Sequence, residues 1–135
     1  MSTHLHFSRT GLQENRPVVV LLHGLFGDLN NLASVRRHLE SDYDVISVDL
    51  PDHGQSPHFD AFTLTNAVGC LKATLTHADV TEATLLGHSL GGKVAMRFAL
   101  DHPDMVTQLF VADIAPVQYP PRHQQVIAGL ENVDL

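Results

Sequence analysis

The amino-acid sequence predicts an α/β fold in which a mostly parallel β-sheet carries helices on both faces. Short apolar runs alternate along the chain with stretches of helical spacing, and strands that alternate with helices form parallel sheets with right-handed crossovers. The apolar runs are rich in valine and leucine, as expected of strands buried on both faces. Glycine or proline follows most of these runs, which favours loops at those points.

A strand is predicted wherever an apolar run ends at polar or glycine-rich residues. The first predicted strand is short, covers about Leu5 to Ser8, and precedes the alternating part of the chain. The other predicted strands are Pro17 to Gly24, Tyr43 to Asp49, Glu82 to Ser89, and a run from Met105 that ends near Asp113 to Pro116.

Helices are predicted between the strands from apolar residues spaced three or four apart. Thr63 or Thr65 is a candidate N-cap of the second helix, and Pro103 ends the third, because proline cannot continue a helix. The predicted helices are Asn30 to Glu40, Phe62 to Ala78, Leu90 to Pro103, and a last one that starts after Pro120 and Pro121 and runs to Val133.

Composition and charge disfavour several classes of function. The chain has 135 residues, enough for one domain with a real core, and a formal net charge of −7. That charge disfavours nucleic acid as a partner, since binding it relies on basic patches. No apolar run approaches the ~20 residues of a membrane span, so no membrane partner is expected. The single cysteine, Cys70, is interpreted as a packed thiol, and without a possible internal disulfide a cytoplasmic location is expected.

The segment "GHSLG", Gly87 to Gly91, is the strongest indication of chemistry. It matches G-x-S-x-G between a predicted strand and a predicted helix, which is the context of a nucleophile elbow. We expect Ser89 to project above the sheet on a strained backbone, with both glycines admitting close backbone neighbours. The alternative is a helix N-cap serine after a strand, which would not need glycine on both sides.

An oxyanion hole needs two N–H donors near the nucleophile. The N–H of Leu90, at the start of the predicted helix, is one candidate. The other is the N–H of Leu25 or Phe26 in the glycine-rich segment that follows His23 and Gly24. The alternative interpretation is that these glycines only shape a strand-to-helix turn.

Four segments together resemble the α/β-hydrolase superfamily, and more closely the small bacterial YbfF-like esterases. The segments are "LLHGLFGDLNNL", "DLPDHGQSPH", "LLGHSLGGKVAM" and "VADIAPVQY". The resemblance implies hydrolysis of short acyl esters or thioesters by a serine–histidine–acid triad without a cofactor. It also implies an N-terminal half of an α/β-hydrolase fold, with residues 1–116 in the core domain and residues 117–135 at the start of a helical cap.

The acid of the triad follows the serine in this fold, and the histidine follows the acid. Asp113 is preferred because it lies at the predicted carboxyl end of the strand after the Ser89 helix. The resemblance assigns the same role to the aspartate of "DIAP". The alternative is an aspartate that caps the following turn. The candidate acids are Asp101, Asp104, Asp113, Glu131 and Asp134.

No histidine of the sequence is assigned as the general base. His123 is the only one after Asp113, and it stands near a predicted helix start. His88 is interpreted as a packing or supporting residue, while His23 and His53 are interpreted as braces of their loops. No histidine spacing indicates a metal site.

The catalytic histidine is therefore expected in a C-terminal part that this sequence does not contain. The last predicted strand would then be an apolar sheet edge, which tends to pair with other chains. The expected partners are a small ester, and a complementary C-terminal fragment or a second copy at that edge. Two functions stay open: an esterase-type serine hydrolase, or an inert hydrolase-like scaffold that binds a complementary chain.

Overall fold

A computed structural model describes residues 3–24, 27–59 and 61–112 of the chain. Within them five strands form one sheet and three α-helices connect the strands. The strands are β1 (Phe7–Thr10), β2 (Val18–Leu22), β3 (Asp44–Val48), β4 (Ala83–His88) and β5 (Val106–Ala112). The helices are α1 (Ala33–Leu39), α2 (Leu64–His77) and α3 (Leu90–Asp101), with short 3-10 turns at Leu29–Leu32 and Pro103–Met105.

The sheet has the order β1-β3-β2-β4-β5. The pairs β2–β3, β2–β4 and β4–β5 are parallel, and only β1 runs antiparallel, against β3. The predicted α/β class and the mostly parallel sheet are therefore confirmed.

Alternate side chains of the strands serve two separate apolar clusters on the two faces of the sheet. Val20, Ile46 and Leu85 belong to the larger cluster, which also contains residues of α2 and α3. Val19 and Val45 belong to the smaller cluster, against which α1 packs. Helices thus lie on both faces, as predicted from strands that are apolar on both sides.

The first strand was predicted two residues too early. Leu5 lies outside β1 because its N–H donates to the Thr74 hydroxyl at 2.7 Å and its side chain is fully buried in the core. The ladder with β3 begins at Phe7, which pairs with Val48. Leu5 is thus a buried core residue that precedes the strand. Its apolar side chain alone does not show whether it belongs to the strand or comes before it.

The helix predicted from Asn30 begins as a 3-10 turn and becomes α-helical only at Ala33. Asp28 causes this start, since its side chain accepts the Asn30 N–H while the Asn31 side chain bonds back to the Asp28 N–H. The N-cap of α2 is Thr63, whose hydroxyl accepts the Asn66 N–H at 3.0 Å. The predicted end of the last strand beyond Ala112 and the predicted last helix lie outside the described residues, as does the cap assignment of residues 117–135.

The topology predicts a crevice at the carboxyl ends of β2 and β4. These strands are neighbours, yet α1 follows β2 on one face and α3 follows β4 on the other. Connections that diverge to opposite faces leave a crevice between the two strand ends, which is where open α/β sheets bind ligands.

Candidate active site

Ser89 occupies the turn between β4 and α3 with an unusual backbone. Its φ is 56° and its ψ is −115°, a combination that side-chain-bearing residues rarely adopt and that costs about 1–3 kcal/mol. Its N–H donates to the Ala112 carbonyl at 2.9 Å, which ties the turn to β5. Strain of this kind persists only where surrounding structure holds it in place.

The Ser89 side chain does not cap the helix that it precedes. It makes no cap hydrogen bond to α3, although Ser89 is the N-cap residue, and it is exposed to solvent. An N-cap serine ordinarily accepts a backbone N–H of the first helical turn. The N-cap alternative therefore has no hydrogen bond in its favour, and the hydroxyl is available to other groups.

Two glycines of the turn are required by close backbone contacts. A Cβ on Gly87 would overlap the Gly91 carbonyl and lie 2.6 Å from the Gly92 nitrogen. A Cβ on Gly91 would overlap the Leu22 carbonyl oxygen. The first turn of α3 thus packs directly on the end of β2, which no larger residue would permit.

The end of β2 lies next to Ser89. A Cβ on Gly24 would lie 3.3 Å from the Ser89 Cβ and 3.0 Å from the His88 Nδ1. Leu90 is the first residue of α3, so its N–H belongs to the group that helices leave without an internal partner. Leu25 and Phe26, the other predicted oxyanion residues, lie outside the described residues.

His23 is buried behind this turn as a neutral ring. Its Nε2 accepts the Leu50 N–H at 3.0 Å, so the proton resides on Nδ1, which donates to the Gly24 carbonyl at 2.7 Å. Burial lowers the pKa of His23 below its ordinary value of 6.5, and the hydrogen bond to Gly24 opposes this only in part. The ring of His53 lies 5.1 Å away, centroid to centroid.

Asp49 is a buried carboxylate that sequence reasoning assigned only to the end of a strand. It is 2% exposed and accepts three N–H donors, from Leu29, Gln55 and the His6 ring. Burial would raise the pKa of Asp49, but these three donors together hold it below its ordinary value of 3.8. The segment "DHGQS" predicts the loop that supplies the Gln55 N–H. No pattern in the sequence predicts that Leu29 also donates to Asp49.

The predicted triad acid, Asp113, lies outside the described residues. The residue before it, Ala112, ends β5 and pairs with His88 in the sheet register. The last described residue, Ala112, therefore lies at the same end of the sheet as Ser89.

No histidine in the described ranges, 3–24, 27–59 and 61–112, hydrogen-bonds to the Ser89 hydroxyl. His88 is adjacent in sequence, but it stands on β4 beside Gly24, and its Nε2 is buried without a hydrogen-bond partner. The His53 ring contacts His23, and its Nδ1–H donates to the Pro51 carbonyl at 2.9 Å. His123 lies outside the described residues, and within those residues no histidine is bonded to the Ser89 side chain.

Other chemistry-bearing residues of the described chain lie in ordinary surroundings. Cys70 is buried in α2, and burial raises the pKa of its thiol, which disfavours the reactive thiolate. In the part of the chain that the structure describes, no three histidine, cysteine or acidic side chains are grouped as a metal would require. None of the described helices is long and apolar enough to span a membrane.

Residues 17–129 match the family model described as the alpha/beta hydrolase fold. The chain belongs to the α/β-hydrolase family. The match covers β2 to β5, and therefore both the Gly24 turn and the Ser89 turn.

Individual relatives of this α/β-hydrolase agree with the assignment. The chain is 38% identical to Esterase YbfF of Escherichia coli over 122 residues, which are 90% of this chain and 48% of that protein. It is 39% identical to the sn-1-specific diacylglycerol lipase of Danio rerio over 100 residues, which are 73% of this chain and 32% of that protein. Among solved structures, a marine microorganism esterase superposes with a TM-score of 0.80 at 34% identity, covering 98% of this chain and 52% of that one.

The chain spans about half the length, or less, of the relatives that it matches. The resemblance to esterases and lipases thus concerns the part of the family that carries the Gly24 and Ser89 turns.

Proposed function

We propose that this chain carries the nucleophile part of a serine hydrolase that acts on short-chain carboxylic esters or thioesters. The observation that supports it most is Ser89, whose exposed side chain stands on a strained turn at the crevice of an α/β-hydrolase sheet. The hydroxyl of Ser89 attacks the acyl carbonyl, the bond to the leaving alcohol or thiol breaks, and an acyl-enzyme remains, which water then hydrolyses to release the acid and free Ser89.

The oxyanion of each tetrahedral intermediate is held by two backbone N–H groups. One is that of Leu90 at the N-terminus of α3, where the helix dipole favours negative charge. The second is that of Leu25 or Phe26. Support for the second comes from Gly24, which brings the end of β2 against the Ser89 Cβ.

A general base must take the proton of Ser89 and later return it to the leaving group. We propose that this base is a histidine contributed from outside the present sequence and oriented by Asp113. The support is that His23 and His53 bond to backbone carbonyls, while the relatives are about twice as long or longer. Alone, the chain should retain only weak turnover from its oxyanion donors and binding.

The test uses the purified 135-residue chain, a serine-directed fluorophosphonate, and p-nitrophenyl acetate and butyrate. Because the proposed base is absent, label and acetyl adduct should appear only slowly on Ser89 and at high reagent concentration, as detected by intact mass and peptide mapping. Both should disappear in Ser89→Ala and persist in Ser34→Ala, a matched change at an exposed serine of α1. Labelling that survives Ser89→Ala, or no adduct on Ser89 at any concentration, would contradict the proposal.

A second candidate is a hydrolase-like scaffold that binds a complementary chain. Among the described strands β5 pairs only with β4, so it forms one edge of the sheet. Beside it, side chains that include Leu86, Phe110 and Tyr43 line a groove of about 260 Å³. Mass measurements over a range of concentrations test this candidate: assembly with a second polypeptide or a second copy would favour it, and a monomer throughout would count against it.

A further inference from the structure

Asp49 joins three segments of the chain through one buried carboxylate. Its Oδ1 accepts the Leu29 N–H at 2.7 Å, and its Oδ2 accepts the Gln55 N–H at 2.9 Å and the His6 Nδ1–H at 2.8 Å. Its main chain is also bonded, since the carbonyl accepts the Ser56 hydroxyl at 2.5 Å. The nucleophilic steps proposed above assign no role to this group.

The two backbone donors come from different loops. Leu29 follows the turn after β2, and Gln55 belongs to the loop after β3. Gly54, with a φ of 52°, lies so close that a Cβ there would overlap the Asp49 carboxyl group. A carboxylate forms stronger hydrogen bonds than a neutral acceptor, so the contact fixes the two loops against each other.

The turn after β2 is thereby held at both ends. At the first end the Gly24 carbonyl accepts the Gly27 N–H at 3.1 Å and the His23 Nδ1–H at 2.7 Å. At the second end Leu29 is bonded to Asp49. Since Gly24 also lies against Ser89, a shift of this turn changes what faces the nucleophile.

We propose that Asp49 is a positioning residue for the reaction at Ser89, and this rests on the proposed function. Asp49 touches neither substrate nor nucleophile, and acts by holding the Gly24 to Leu29 turn in register with Ser89. Small displacements of positioning groups cost large factors in rate, because the reacting atoms must meet within narrow limits.

Substitutions at Asp49 should have graded effects. An amide has one acceptor oxygen, so Asp49→Asn can satisfy the Leu29 N–H or the Gln55 N–H but not both. Asp49→Ala satisfies neither. The matched control is Asp44→Asn, because Asp44 is also buried on β3 but lies at the opposite end of the strand, bonded to Arg9 at 3.0 and 2.8 Å.

Two measurements on the full chain test the proposal, at a temperature where circular dichroism shows each variant to be folded. Hydrogen exchange of residues 23–29 should accelerate roughly tenfold in Asp49→Ala and less in Asp49→Asn. The maximal rate of fluorophosphonate labelling at Ser89 should fall in the same order, with the half-saturating concentration unchanged. Asp44→Asn should leave exchange of residues 23–29 and the labelling rate within about twofold of the unchanged chain, while lowering the melting temperature.

Each outcome decides something. Unchanged exchange of residues 23–29 in Asp49→Ala, or an equal increase in Asp44→Asn, would overturn the proposal. Faster exchange with an unchanged labelling rate would also overturn it, since Asp49 would then be merely structural. If Ser89 of the unchanged chain is never labelled, the proposed function fails, and the exchange of residues 23–29 alone decides whether Asp49 anchors the turn.

Discussion

The two ends of strand β3 each carry a buried carboxylate, and the structure uses them differently. Asp44, at the amino end, pairs with Arg9, whose guanidinium also donates to the Ala78 carbonyl at 2.9 Å. Asp49, just past the carboxyl end, accepts two backbone N–H groups and a histidine ring. The first carboxylate joins β1, β3 and the end of α2, whereas the second joins loops.

Other contacts at the amino and carboxyl ends of the strands can be compared in the same way. At the amino end side-chain pairs occur, such as the Thr84 and Thr107 hydroxyls 3.1 Å apart, beside one close backbone contact at Gly11, where a Cβ would overlap the Tyr43 carbonyl oxygen. At the carboxyl end the backbone itself is in contact, as at Gly91 and Ser89. Side-chain pairs adapt to substitution more easily than backbone contacts do, so positions in backbone contact, such as Gly91, should be the less tolerant ones.

The largest expected effect is that of Gly91→Ala. The added Cβ would overlap the Leu22 carbonyl oxygen and lie 2.5 Å from that of His23, and neither belongs to a side chain that can turn away. We expect a loss of at least about 3 kcal/mol in the free energy of unfolding, at the upper end for overpacked sites. Urea unfolding measures it.

Gly92→Ala is the matched control for that prediction. Its Cβ would meet a side-chain atom, Val111 Cγ1, at 2.6 Å, and a side chain can shift further than a backbone carbonyl. We expect a loss of about 1 kcal/mol. Equal losses at the two positions would mean that contact with the end of β2 is not what makes Gly91 necessary.

A smaller effect, of opposite sign, is expected when the strain at Ser89 is removed. Glycine adopts the φ of 56° and ψ of −115° without a steric cost. Glycine also increases the conformational entropy of the unfolded chain, which offsets part of this gain. Ser89→Gly should therefore raise the free energy of unfolding by about 1 kcal/mol. Thermal unfolding of Ser89→Gly beside Ser89→Ala measures it, because alanine keeps the strain.

Asp79→Gly provides the comparison at the amino end. Asp79 has a φ of 60° just before β4, and aspartate tolerates positive φ better than most residues. The change should stay within about 0.5 kcal/mol. A gain at Asp79 as large as that at Ser89 would remove the contrast between the two ends of the sheet.

Strand order along the chain was predictable, but the partners of the buried carboxylates were not. Apolar runs such as Val18–Leu22 predict strands because their side chains must leave water on both faces. Asp44 and Asp49 lie in one segment, "DVISVD", and local pattern distinguishes neither from an exposed strand-end aspartate. Their partners, Arg9 and Leu29, are 35 and 20 residues away, so only the folded topology brings them together.

The secondary structure around Ser89 was predictable because its signal is local. "GHSLG" predicts a strand, a tight turn and a helix because its glycines and serine act within a few residues, and the structure has β4, the Ser89 turn and α3 in that order. The role of Asp49 required a contact between two loops, which no spacing in the sequence encodes. Leu25, Phe26 and Asp113 lie outside the described residues, so their assigned roles stay predictions.

The smallest expected effect concerns pH and the buried ring of His23. Its pKa is lowered in the folded chain mainly by burial, so the unfolded chain takes up a proton at higher pH than the folded one. The contribution of the neutral His23 ring to the free energy of unfolding is therefore fully present above the ordinary pKa of 6.5. It decreases as the pH falls below that value. The loss between pH 6.5 and 5.5 should be less than about 1 kcal/mol, since one pH unit permits at most about 1.4 kcal/mol.

The variant His23→Gln should flatten this dependence, because an amide oxygen can accept the Leu50 N–H and does not titrate. Melting temperatures at pH 7.5 and 5.5 measure the difference for the unchanged chain, for His23→Gln, and for His38→Gln at an exposed position on α1. An equal fall in the unchanged chain and in His23→Gln would assign the pH dependence to groups other than His23. If only His23→Gln flattens the curve, the neutral ring that braces Gly24 is the source of a pH-dependent stabilisation at the carboxyl end of the sheet.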